Sequence, residues 1–104
     1  MQLSVSSPGT KLSTEQVEQF GRDLEKIDRR FRSPDDAVAR LRVSNGKPQQ
    51  GYDVLLEVDY TRYHFLAKAK NGDVGIAVRE ARDDLIRQIT DVSRGGHSSI
   101  AKKS

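Results

Sequence analysis

The sequence contains no cysteine, which excludes a thiolate nucleophile, a thiol redox couple, sulfur ligands for a metal and a secreted scaffold held by disulfide bridges. Folding must rest on packing alone. There is no tryptophan, and aromatic residues make up 6% of the chain. Basic residues are not interleaved with exposed aromatics, as a binder of single-stranded nucleic acid would need for base stacking. The two histidines, His64 and His97, stand apart in sequence, and neither has a carboxylate at a convincing spacing for a metal site or a base-activated nucleophile. No apolar run approaches the ~20 residues of a membrane span, and residues 1–12 lack the basic start and apolar stretch of a signal peptide. A soluble, cytoplasmic chain is expected. At 104 residues it has the length of one domain.

Charge of one sign is scarce as well. Eighteen basic residues face fifteen acidic ones, a net +3, and Arg94, Lys102 and Lys103 supply the whole surplus. Residues 1–93 therefore sum to zero. This divides the chain into a neutral α+β domain over 1–93 and a flexible basic tail over 94–104. Polyanion binding by the body requires that its charges be sorted onto one face. With 35% hydrophobic and 32% charged residues, the composition is polar yet above that of a disordered chain.

What is present is a clear change of period along the chain. Gln2, Leu3, Ser4, Val5 and Ser6 alternate like a short strand, and Ser7-Pro8-Gly9 makes a turn. Ser13 and Gln16 form a capping-box pair, with Leu12 and Val17 placed as a hydrophobic staple. Val17, Phe20, Leu24, Ile27 and Phe31 then recur at three and four residues, predicting a helix that continues to Ser33-Pro34. Residues 36–43 alternate, with Ala37, Ala39, Leu41 and Val43 on one face. After loop chemistry over 44–48, two more alternating runs follow, Tyr52 to Val58 and Tyr63 to Ala69, close enough to form a hairpin. Asp73 is placed to cap a second helix with an apolar face of Val74, Ala77, Val78, Ala81, Leu85, Ile89 and Val92. The pattern predicts β-α-β-β-β-α, a four-stranded sheet with both helices packed on one face. The other face, with Val38, Leu55 and Leu66 among charged residues, meets water and offers an alternative role as a protein-interaction surface.

Catalytic chemistry has no constellation to stand on, and no phosphate loop, metal site or cofactor site is expected. The adjacent Asp83 and Asp84 diverge around a helix, and Asp83 lies one turn from Arg79 and Arg87, predicting an ion-pair ladder. Cations on the helices are the remaining feature. Arg22, Lys26 and Arg29 or Arg30 stack at three and four residues, a spacing that lets several cations face one phosphate backbone. Arg79, Arg82 and Arg87 are expected off the apolar face of the second helix. Helix dipoles favour bases late in a helix, and Glu18 to Arg22 and Glu25 to Arg29 are spaced as i, i+4 pairs, so these cations also suit a solvated face.

The order of elements resembles the ribosome hibernation promoting factor family, which includes the ribosome-associated inhibitor protein Y. The likeness lies in the Met1-Gln2-Leu3 opening, Leu24-Glu25-Lys26-Ile27, Ala67-Lys68-Ala69, Asp73 followed by Ala77-Val78, and Leu85-Ile86-Arg87-Gln88. Gly75, Asp84 and Asp91 depart from it, standing where the family has an aromatic residue and lysines. The resemblance implies a fold comparable to a double-stranded RNA-binding domain, binding to the small ribosomal subunit and its rRNA, and arrest of idle ribosomes without catalysis. Lys26, Arg29 and Arg87 match positions where the family tends to be basic, while Arg22, Arg30, Arg79 and Arg82 join them by helical geometry. The chain resembles the short form; a monomer is favoured, and no small-molecule substrate, cofactor or membrane partner is expected.

Overall fold

A computed structural model describes residues 1–45 and 51–94. The glycine-containing part of the 44–48 loop, His97 and the tail beyond Arg94 lie outside the described residues. The elements run β1 (Gln2–Ser6), α1 (Thr14–Asp28), a 3-10 turn (Pro34–Asp36), β2 (Ala37–Asn45), β3 (Tyr52–Tyr60), β4 (Tyr63–Asn71) and α2 (Val74–Arg94). This is the expected α+β order. The sheet is mixed, in the order β1-β2-β3-β4, with β1 parallel to β2 and the other neighbours antiparallel.

Local chemistry starts and stops these elements. In the first turn the Thr10 N–H donates to the Ser7 carbonyl at 3.1 Å. Pro8 sets the second position, and Gly9 supplies the φ of +72° that the third requires. The Ser13 hydroxyl accepts from the Gln16 N–H at 3.1 Å while the Gln16 side chain accepts from the Ser13 N–H at 2.9 Å, completing the capping box. Leu12 packs against the core, but Val17, its expected staple partner, is exposed. The Ile76 N–H donates to Asp73 Oδ1 at 3.1 Å, so Asp73 caps α2 as expected.

One boundary differs from the sequence reading. α1 ends at Asp28, and the chain passes through two turns, Arg30 N–H to the Ile27 carbonyl and Phe31 N–H to the Asp28 carbonyl. Phe31 still reaches the core, where it stacks on Tyr60 with ring centroids 4.3 Å apart. The Tyr60 hydroxyl accepts the Ser33 N–H at 3.0 Å, which fixes this segment beside the sheet.

The inward faces of β2, β3 and β4 alternate as the sequence predicts, burying Ala37, Ala39, Leu41, Val43, Val54, Leu56, Val58, Phe65 and Ala67. Phe20, Leu24 and Ile27 of α1 and Val74, Ala77, Val78, Ala81, Leu85 and Ile89 of α2 join them in a single cluster. Both helices therefore cover the same side. Each fully buried aliphatic side chain there stabilises the fold by roughly 1.5–3 kcal/mol relative to exposure. A helix returning from β1 and one returning from β4 run the same way, because β1 and β4 point in the same direction across the sheet.

The β3–β4 turn is strained. Thr61 has a φ of +54°, a left-handed conformation that a β-branched residue adopts at a cost. Thr61→Gly is expected to raise stability by about 1 kcal/mol, read as a higher urea midpoint at unchanged slope.

Candidate nucleic-acid interface

Seven cations were expected on the helix side, and the structure separates them by what stands next to each. On α2, Arg79 lies 3.9 Å from Asp23 of α1, and Arg87 lies 3.9 Å from Asp84 one turn before it. Arg82 is not off the apolar face: it is 8% exposed, with its Nε and Nη2 each 2.8 Å from Asp83 Oδ1. The signal was in the spacing. Arg82 follows Val78 by four residues and precedes Leu85 by three, so it falls inside the apolar stripe, and its charge is accommodated by bending the guanidinium back to Asp83. The expected ladder from Asp83 to Arg79 and Arg87 is not formed; those arginines take Asp23 and Asp84 instead.

On α1 the outcome is different. Arg22 donates to the Gln19 side-chain carbonyl at 2.9 Å rather than pairing with Glu18. Lys26, Arg29 and Arg30 are exposed, and among the described residues they form no ion pair, including the expected Glu25 to Arg29 pair. Arg29 is the C-cap residue, still in helical backbone (φ −67°, ψ −13°), and Arg30 is the first residue of the turn beyond it. Arg29 keeps its i, i+4 spacing from Glu25 without closing the pair, and Arg30 has Lys26 rather than an acid four residues before it. The nearest acid in sequence, Asp28, faces the chain's N-terminal ammonium at 3.3 Å. Three adjacent cations therefore remain uncompensated at the C-terminal end of α1, where the helix dipole favours positive charge.

The helices are parallel, and the Asp23–Arg79 contact sets their register. At ~1.5 Å of rise per residue, Lys26 stands about level with Arg82 and Asp83, and Arg29 and Arg30 stand close to the level of Arg87. The C-terminal end of α1 thus lies beside the middle of α2, near Arg87, and α2 continues about two turns farther to Arg94. Of the seven expected residues, Arg79, Arg82 and Arg87 each face a carboxylate, and Arg22, Lys26, Arg29 and Arg30 form no ion pair among the described residues.

The outer sheet face carries a group that the sequence did not expose. The β3–β4 register places Asp59 opposite His64, and His64 Nδ1 is 2.5 Å from Asp59 Oδ1, with Nε2 3.6 Å from Glu57. His64 does have carboxylate partners, contrary to expectation. Arg40 completes the group, 2.7 Å from Asp59 and 3.4 Å from Glu57. Hydrogen bonds from His64 and then Arg40 hold the Asp59 carboxyl below its ordinary value, and the contacts of Arg40 with Asp59 and then Glu57 raise the guanidinium above its own. No group of three or more ligating side chains suited to a metal occurs among the described residues.

A carboxyl lowered by folding contributes stability that is fully present above its unfolded value, about 3.9, and lost as pH falls through the folded value. Asp59→Asn should therefore lower the urea midpoint at pH 6, with its difference from the parent shrinking as the pH is taken down to 3.

No family model matches the chain, and no curated protein sequence matches it. Among solved structures, the N-terminal domain of Thermus thermophilus protein Y superposes with a TM-score of 0.78 at 15% identity, covering 88% of this chain and 99% of that one. A ribosomal subunit interface protein from Coxiella burnetii gives 0.77 at 16% identity, covering 90% and 99%. At such identities the likeness is one of fold.

Proposed function

We propose that this chain is a non-enzymatic, ribosome-associated factor of the hibernation type, which binds the small ribosomal subunit through the end of α1 and holds ribosomes inactive. The observation that carries the reading is the row Lys26, Arg29 and Arg30. These three adjacent exposed cations have no ion-pair partner among the described residues, and they sit on the helix side of a fold shared with a protein Y domain and a ribosomal subunit interface protein. Arg22 and Arg87 flank them. The mechanism is occupation rather than chemistry: guanidinium and ammonium groups engage phosphates, and the shape of the helix pair sets the register against folded rRNA. Asp84 and Asp91 limit the contribution of α2, which leaves α1 as the main contact.

Co-sedimentation with small subunits tests this. Binding at low salt should weaken as salt rises, with a log–log slope of roughly −2 to −3 for three phosphate contacts. Recovery of the protein in the supernatant at low salt would exclude the reading.

A further inference from the structure

The outer face of the sheet repeats one motif: acids on the central strand β3, cations on the strands either side. Asp53 of β3 faces Lys70 of β4 at 3.5 Å. Glu57 and Asp59 of β3 hold Arg40 of β2 and His64 of β4. One row breaks the rule. Arg42 of β2, Leu55 of β3 and Lys68 of β4 are in register, so the position between two cations is occupied by a leucine. Arg42 and Lys68 are exposed and have no ion pair among the described residues. A depression of about 540 Å³ opens at this row, lined by Arg42, Ser44, Asp53, Leu55, Lys68 and Lys70.

We propose that this row is a docking site for a protein segment that presents a single carboxylate flanked by apolar side chains. The carboxylate takes the place that an acid fills in the neighbouring rows, bridging Arg42 and Lys68, whose strands stand about 9.6 Å apart across β3. The apolar flanks rest on Leu55 and on Leu66, which is 41% exposed. Charge complementarity selects this occupant over a nucleic acid. Asp53 and Glu57 lie one pleat repeat, about 6.8 Å, to either side of Leu55, so a chain of successive phosphates would bring like charge against them, whereas one isolated carboxylate does not. A second copy of the chain is disfavoured for a similar reason: stacking two such faces with the strands reversed sets Arg40 near Arg42 and Asp53 near Asp59. The site lies on the sheet face away from the helices and stands independently of the proposed ribosome contact.

The test is an amide chemical-shift titration of the full chain with three probes: the blocked peptide acetyl-Ala-Leu-Glu-Leu-Ala-amide, its Gln counterpart, and an oligouridylate. The Glu peptide is expected to shift Arg42, Leu55 and Lys68 saturably and to bind about tenfold more tightly than the Gln peptide, the worth of one charge-assisted hydrogen bond. Leu55→Glu supplies the absent acid within the chain and should weaken the Glu peptide by about tenfold while leaving the melting temperature unchanged or raised. Lys68→Gln gives the same readout if that variant fails to fold. Equal binding of both peptides, undiminished binding to the variants, shifts confined to other residues, or stronger perturbation of this row by the oligouridylate would each overturn the proposal.

Discussion

Reversing three charges at the end of α1, with Lys26→Glu, Arg29→Glu and Arg30→Glu together, is expected to lower affinity for the small ribosomal subunit by on the order of a hundredfold or more. Hydrogen bonds to charged groups are worth about 1.5–3 kcal/mol each, so the loss of three, with repulsion added, reaches that size even after allowance for non-additivity. The salt slope should flatten by roughly 2 to 3 at the same time. All three side chains are exposed and free of ion pairs among the described residues, so the only expected cost to stability is that of acids at a helix C-terminus, about 0.3–1 kcal/mol each. The variant should remain folded at 25 °C, which separates loss of contact from loss of fold. Arg79→Ala and Arg82→Ala make the useful contrast. Their partners are Asp23 and Asp83, and their removal should affect stability more than binding. Deleting residues 95–104 should cost less affinity than the triple reversal. If that deletion alone abolishes co-sedimentation, the end of α1 is a solvated face and the site assignment fails.

The largest effect on stability is expected from Phe31→Ala, a loss of about 3–5 kcal/mol. Phe31 is fully buried, stacked on Tyr60 and 6.5 Å from the Phe65 ring. It lies in a segment held by turns rather than by helix, so the space left behind is closed by the sheet below and by a backbone that Tyr60 tethers through Ser33. Little collapse is available there, which places the cost toward the upper part of the range. A domain of this size has about 5–15 kcal/mol in total, so the variant should be partly unfolded at 37 °C. Equilibrium urea denaturation at 25 °C measures it. Because Phe31 follows Arg30 directly, the loss should also loosen the displayed cations, and weakened ribosome binding in this variant should track its unfolded fraction.

Phe31 also shows how sequence reading succeeds and errs in one residue. Its spacing from Ile27 marks it correctly as buried, but that same spacing extends the helix four residues too far. Periodicity reports which residues face the core, and a pair of tight turns can deliver the fourth residue to the core as well as a helix can. The error bears on the candidate site, because Arg29 and Arg30 belong to the cap and the turn beyond it rather than to the body of a longer helix. Arg82 is the converse case. Its place in the 78, 82, 85, 89 stripe was visible, yet a charged residue is ordinarily assigned to solvent, and only the fold of the guanidinium onto Asp83 accounts for its burial.

The sequence alone determined the order of elements, the buried face of each, the Ser13 and Asp73 caps, the Ser7-Pro8-Gly9 turn and the neutrality of residues 1–93, because each is written in neighbouring residues or in repeats of 2 and 3.6. Which cations stand beside a carboxylate was decided by tertiary structure. Asp23 meets Arg79, Asp59 meets His64, and Leu55 falls between Arg42 and Lys68 only once helix register and strand register are set. Ion pairing acts over a few ångströms between groups distant in sequence, and no local period encodes it.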